Sequence, residues 1–188
     1  MSAGYMTWTR RHLARTGRKP ALWDMEARCE PTLVRRQHAF HPARVTPGGK
    51  EVLRRLRTRR DPKHAEAVTW YRAEQARICA KVFVARFAAG FEKVFMGMPS
   101  DWDVGFGALL PNPYVGLCDR TGKPWPAFGA LTTLAAAIDG FARAEKLPAP
   151  REVELVRFTF ADGRPPVWVA WLSRHWPRLS TPTELPAP

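Results

Sequence analysis

From Asp61 onward, apolar residues recur at helical spacing: Val68, Tyr71, Ile78 and Val82, then Phe83, Phe87, Phe91 and Phe95 at steps of four. Glu74, Arg77 and Lys81 fall on the opposite, wet side. Asp61 is a capping residue, Pro62 suits a first helical position, and Gly97 and Pro99 supply a stop. The pattern predicts one long helix over 61–95, with Gly90 as a place to kink. A second apolar stripe, Phe128, Leu131, Leu134, Ile138 and Phe141, predicts a helix over 127–146 behind Pro126. Between the two, "GFGALL" and "YVGLC" are short apolar runs punctuated by Asn112-Pro113, and they read as strands. At 152–172 two β-rich runs flank Asp162-Gly163, a hairpin signature.

The N-terminal third is less patterned. Residues 1–20 read as a flexible basic arm, 21–37 as a short helix interrupted by Pro31, and 40–49 as extended or looped chain around Pro42 and Pro47. A short helix over 50–60 offers only Val52, Leu53 and Leu56 for burial. The tail, 179–188, is Pro-rich and reads as disordered. No internal repeat is present. Helices with a small antiparallel or mixed sheet make an α+β fold class, arranged as a basic segment over 1–49, a single domain over 50–178 and the tail.

Charge sharpens this division. The net charge of +13 is concentrated at the front: residues 1–60 hold 15 Lys/Arg against 4 Asp/Glu, whereas 61–188 hold 15 against 13. A nearly neutral body with a basic front points to a polyanion partner, nucleic acid first and an anionic membrane surface second. Within that front, Arg54, Arg55, Arg57, Arg59 and Arg60 crowd together, and Arg10, Arg11, Arg15, Arg18 and Lys19 lie between Trp8 and Trp23. Such a surface neutralises phosphates with steep salt dependence and little base specificity. Interleaved aromatics favour single-stranded DNA by stacking. No helix-turn-helix, zinc-finger or RNA-recognition signature supplies sequence readout.

Cys29, Cys79 and Cys118 are scattered, with no paired spacing, which suits a reducing compartment. The first twenty residues lack the apolar core of a secretory signal. The longest apolar run, "AFGALTTLAAAI", is too short to span a bilayer. The expectation is a cytoplasmic chain without a transmembrane segment.

Candidate chemistry centres on "GLCDRTGKPWP", residues 116–126. A nucleotide-hydrolase phosphate loop needs four residues between its glycines and a hydroxyl after the lysine; here five residues separate Gly116 from Gly122, and Pro124 stands in place of the hydroxyl. The residues read as a hairpin turn, with Gly122 at positive φ, that presents Arg120 and Lys123 to an anion. Asp101-Trp102-Asp103 places two carboxylates on one side of an extended segment, as a site for a divalent metal such as Mg requires, or forms a surface turn after Pro99. His38, His41 and Cys29 lack a fourth zinc ligand at workable spacing.

Gly116-Leu117-Cys118-Asp119-Arg120 also resembles the G-x-C-x-R part of the sulfiredoxin loop, cognate with the phosphate-gripping G-x-x-R loop of the ParB/sulfiredoxin fold. That family sets its glycine three residues before the arginine, where this chain has Leu117. With its size and basicity, the chain is similar to the small fertility-inhibition proteins of conjugative plasmids, the oncogenic-suppression (Osa-type) group. The resemblance implies a ParB/sulfiredoxin-like fold, ATP binding and hydrolysis, and DNase activity. It further implies interference with DNA export through type IV secretion in a bacterial cytoplasm, with a peripheral place at the inner membrane. It places Gly116 and Arg120 on the phosphate loop and Cys118 at its catalytic position; beside it, the residues themselves offer Lys123 as a second phosphate contact and Asp119, with Asp101 or Asp103, as a catalytic carboxylate that holds a metal. It makes Cys118 a reactive thiol, whereas the strand pattern makes it a core thiol.

Three readings follow. The chain is a DNA-cleaving enzyme, using Arg120 and Lys123 with a carboxylate-held metal. Alternatively it is a non-catalytic nucleic-acid-binding protein, or an inhibitor that docks on a secretion or conjugation machine.

Overall fold

A computed structural model of the chain describes residues 21–27, 29, 47–101 and 114–172, together with His12, Arg15 and Gly17. Within these, strand β1 (Trp23–Ala27) is followed by helices α1 (Pro47–Arg57) and α2 (His64–Ala88) and strand β2 (Lys93–Met96). Helix α3 (Pro126–Ile138) then leads into strands β3 (Phe141–Lys146), β4 (Val153–Phe160) and β5 (Val167–Leu172). The fold class is α+β. The predicted strand "GFGALL", the tail, His38, His41 and Asp103 lie outside the described residues.

Helix α2 is the axis of the molecule. Three apolar clusters ring it: Val52 and Leu56 of α1 on Ala67, Trp70 and Tyr71; Ala27, Cys29 and Ala127 on Cys79 and Val82; and Ile138, Val156 and Phe158 on Val84. A helix packed on so many sides keeps little wet surface, and even Arg72 and Gln75 are buried in it.

The long helix ends earlier than the phenylalanine spacing predicts. Gly90 takes a φ of 87°, a left-handed value that favours glycine, and closes α2 just beyond Ala88. Phe91 is buried beyond the helix, and Phe95 belongs to β2. The helix also starts at His64 rather than Asp61. Asp61 serves the preceding turn, its carboxylate accepting from the Lys63 amide at 2.9 Å.

The other predicted helices need correction too. Residues 21–37 contain strand β1, and α1 begins at Pro47, inside the stretch read as extended. β1 pairs with β2 in parallel, Trp23 opposite Lys93 and Asp24 opposite Val94. Parallel pairing requires a long crossover, here carrying α1 and α2. The segment 1–49 therefore contributes a strand to the body. The predicted helix over 127–146 stops at Ile138, and Asp139 is already extended with ψ 134°. Residues 141–146 become the edge strand β3, because Phe141 and Ala144 are drawn beside Phe160 and Phe158 of β4. Strand pairing overrides the helix propensity of "FARAEK".

The hairpin at 152–172 is present, with β4 and β5 antiparallel and Val156 opposite Val169. Its inner face and α2 meet in an aromatic cluster. Phe141 lies 5.0 Å from Phe87 and 5.2 Å from Phe158, both edge-on, a geometry worth about 1 kcal/mol per pair beyond burial. "YVGLC" does not form a strand; it makes isolated bridges only, Cys118 to Ser100 and to Pro124.

Candidate functional site

Asp119 organises the turn at 118–124. Its backbone N–H donates to the Lys123 carbonyl at 2.8 Å, and its carbonyl accepts from the Gly122 amide at 3.1 Å. One carboxylate oxygen accepts three bonds, from the Thr121 amide (2.8 Å), the Thr121 hydroxyl (2.7 Å) and the Lys123 amide (2.9 Å). These hydrogen bonds, led by the Thr121 hydroxyl, hold the Asp119 carboxyl below its ordinary value. Gly122 takes a φ of 87°. Asp119 is thus a turn-former, and Arg120 and Lys123 are exposed on the outside of the turn.

Gly116 is fixed by packing. A Cβ on it would lie 2.1 Å from the Ser100 carbonyl carbon and 2.2 Å from the Asp101 nitrogen, so only glycine fits. The two segments are laced by backbone bonds from Leu117 and Cys118 to the Pro99 carbonyl and from Asp101 to the Cys118 carbonyl. Cys118 is partly buried within this lacing.

Beneath it lies a buried polar network that the sequence pattern does not reveal. Arg72 donates to Asp101 Oδ2 (2.5 Å), Gln75 Oε1 (2.8 Å), the Tyr114 carbonyl (3.0 Å) and the Gly116 carbonyl (3.2 Å). Gln75 donates to the Val115 and Gly116 carbonyls. The Trp125 indole donates to Asp101 Oδ2 at 2.9 Å, and Asp101 Oδ1 accepts from the Gly116 amide at 3.0 Å. The Arg72 guanidinium also lies 4.2 Å from the Trp125 ring centre. Both Asp101 oxygens are therefore committed to protein donors, and this carboxylate anchors the 99–101 segment to α2. Among the described residues no group of three or more His, Cys, Asp or Glu is placed to hold a metal.

His64 joins the same region. Its Nδ1 lies 2.7 Å from the Arg55 carbonyl and its Nε2 3.1 Å from the Tyr114 hydroxyl. Burial raises the Tyr114 hydroxyl above its ordinary value.

The arginine cluster divides in two. Arg54 is held by Glu51 (2.8 Å) and Asp61 (2.6 Å), and Arg55 by Glu51 (2.9 Å). The hydrogen bonds and charge of Arg54 and then Arg55, opposed by partial desolvation, lower the Glu51 carboxyl to about 2. Arg54, Arg57, Arg59 and Arg60 are all exposed, and so are Lys63 and Arg15. Arg10 and Arg11 lie outside the described residues. A cleft of 290 Å³ lies between α2, α3 and the start of β3, lined by residues such as Phe83, Phe87, Leu131 and Leu134. Its lining holds no lysine or arginine, so it suits an apolar group rather than a phosphate. Among the described residues no helix is long and apolar enough to cross a membrane.

Comparison with protein-family models, curated proteins and solved structures finds no match to this chain.

Proposed function

We propose that the protein binds nucleic acid through its basic front, without chemistry of its own. The observation that carries this is the charge division: 15 Lys/Arg against 4 Asp/Glu over residues 1–60, with Arg57, Arg59 and Arg60 exposed while Arg54 and Arg55 brace the helix that presents them. Contacts of this kind bind phosphate, and their affinity falls steeply with salt.

DNA cleavage is the second reading, supported by the exposure of Arg120 and Lys123 on one tight turn. In that reading the fertility-inhibition resemblance brings ATP to the turn, a nearby carboxylate holds a divalent metal, and Arg120 polarises a phosphate. The commitment of Asp119 to its own turn and of Asp101 to Arg72 and Trp125 favours the binding reading.

One experiment separates the two. The full chain is incubated with single- and double-stranded DNA, with and without magnesium and ATP, beside an Arg120→Ala variant shown to be folded. Retarded, intact DNA, with retention lost as salt rises, is the expected result. Metal-dependent cleavage that Arg120→Ala abolishes transfers the function to the turn. Absence of binding to either DNA at low salt rejects both and leaves the docking inhibitor.

A further inference from the structure

Strand β1 is built inside out. Asp24 faces in: it is 4% exposed and pairs with Arg86 of α2 at 2.7 Å. Two of its apolar residues face water, Trp23 at 49% and Met25 at 63% exposure, whereas Ala27, past a shift in register, is buried. β2 adds to the same outer face, since side chains alternate along a strand and Trp23 stands opposite Lys93. Phe95 is 40% exposed there, its ring 6.1 Å from that of Trp23, and the Lys93 ammonium lies 4.5 Å from the Trp23 ring centre. Exposing an indole, a thioether and a phenyl ring side by side forgoes stabilisation that the ordinary alternation would supply.

We infer that the outer face of β1 and β2 is a stacking surface for single-stranded nucleic acid. Unpaired bases lie on the rings of Trp23 and Phe95, and Lys93 moves from the indole to a phosphate. The exposed Arg15, upstream of the strand, adds a further cation for the backbone. This inference rests on the nucleic-acid reading and adds to it a strand preference and a place. The charge that lies against the rings is positive: the Lys93 ammonium sits over Trp23 and the carboxylate of Asp24 is turned inward to Arg86, while the exposed Glu92 stands just before β2 begins. Of the other large exposed rings among the described residues, Phe128 stands on α3 and Trp168 on β5. The arginine beside Trp168, Arg157, is already engaged by the Glu145 carboxylate. A duplex keeps its bases stacked inside and offers the rings nothing to stack on, so the preference is for single strands.

The test measures binding of the full chain to a labelled oligothymidine and to a duplex of the same length. Trp23→Ala and Phe95→Ala are each expected to weaken single-strand binding by about 5- to 100-fold, leaving duplex binding and the urea midpoint unchanged. Trp23→Phe keeps a ring and is expected to retain most of the affinity. Lys93→Gln is expected to lower the salt slope on the single strand by about 0.7. Equal losses on both nucleic acids, or an unchanged single-strand affinity in both ring variants, overturn the stacking surface while leaving the binding reading intact. Loss of all binding by the unmodified chain overturns both. If Trp23→Ala abolishes sedimentation with phosphatidylserine vesicles and spares the oligonucleotide, the face belongs to a membrane and the inference fails.

Discussion

Gly116 and Asp101 show how a few atoms fix the 99–101 and 114–118 segments against α2. Any side chain at 116 strikes backbone rather than a yielding side-chain tip, so Gly116→Ala is expected to cost about 3 kcal/mol. A lowered urea midpoint with an unchanged slope checks this. Arg72→Met removes the cation from a buried pair and strands the carboxylate of Asp101; a loss of about 3–5 kcal/mol is expected, partly restored by adding Asp101→Asn. Glu51 supplies a pH test at the same scale. Its folded-state value of about 2 lies below the ordinary 4.5. The ionised form is therefore favoured by folding, and the associated stability is present above about 4.5 and lost as pH falls toward 2. Thermal melts across that window are expected to flatten in Glu51→Gln, and in high salt, since the pair with Arg54 is exposed.

Among the elements, what the sequence made legible was set by periodicity, and what it hid was set by tertiary contact. The β4–β5 hairpin was readable because β-rich runs flank Asp162-Gly163, and the start of α3 because Pro126 marks it. The end of α2 was misread because Phe91 and Phe95 keep the four-residue step by coincidence. The local stop is Gly90, and the two rings serve other elements. β3 was invisible because "FARAEK" is helix-forming alone, and only Phe158 and Phe160 across the ladder make it a strand. If that pairing is what converts it, emptying its hydrophobic anchor should be costly. Phe158→Ala removes a fully buried ring touching Phe87 and Phe141, and a loss of about 3–5 kcal/mol is expected in chemical denaturation. The buried network was hidden for a related reason: Arg72 and Gln75 look like solvent-facing residues until Tyr114–Gly116 are laid across them.

At the scale of the whole molecule, the charge division was legible from composition, whereas the role of the front was not. β1 belongs to the body, and Val52 and Leu56 of α1 are core residues. A truncation meant to test the basic front must therefore stop before Trp23. Deleting residues 1–20 removes Arg10, Arg11, Arg15, Arg18 and Lys19 while sparing both elements. The deletion is expected to leave the melting temperature within a few degrees of the full chain and to reduce the salt slope of duplex binding, by up to about 4.5 if every removed charge meets a phosphate. An unchanged slope would place the contacts elsewhere. The parallel pairing of β1 with β2 also has a consequence for synthesis. Trp23 emerges from the ribosome about seventy residues ahead of its partner Lys93, a delay of roughly 4–14 s at ordinary elongation rates. Throughout that interval the nascent strand has no mate, and basic residues flanking an apolar strand, as Arg18 and Lys19 do in the sequence, are the kind that disfavour its pairing with neighbouring unfinished chains.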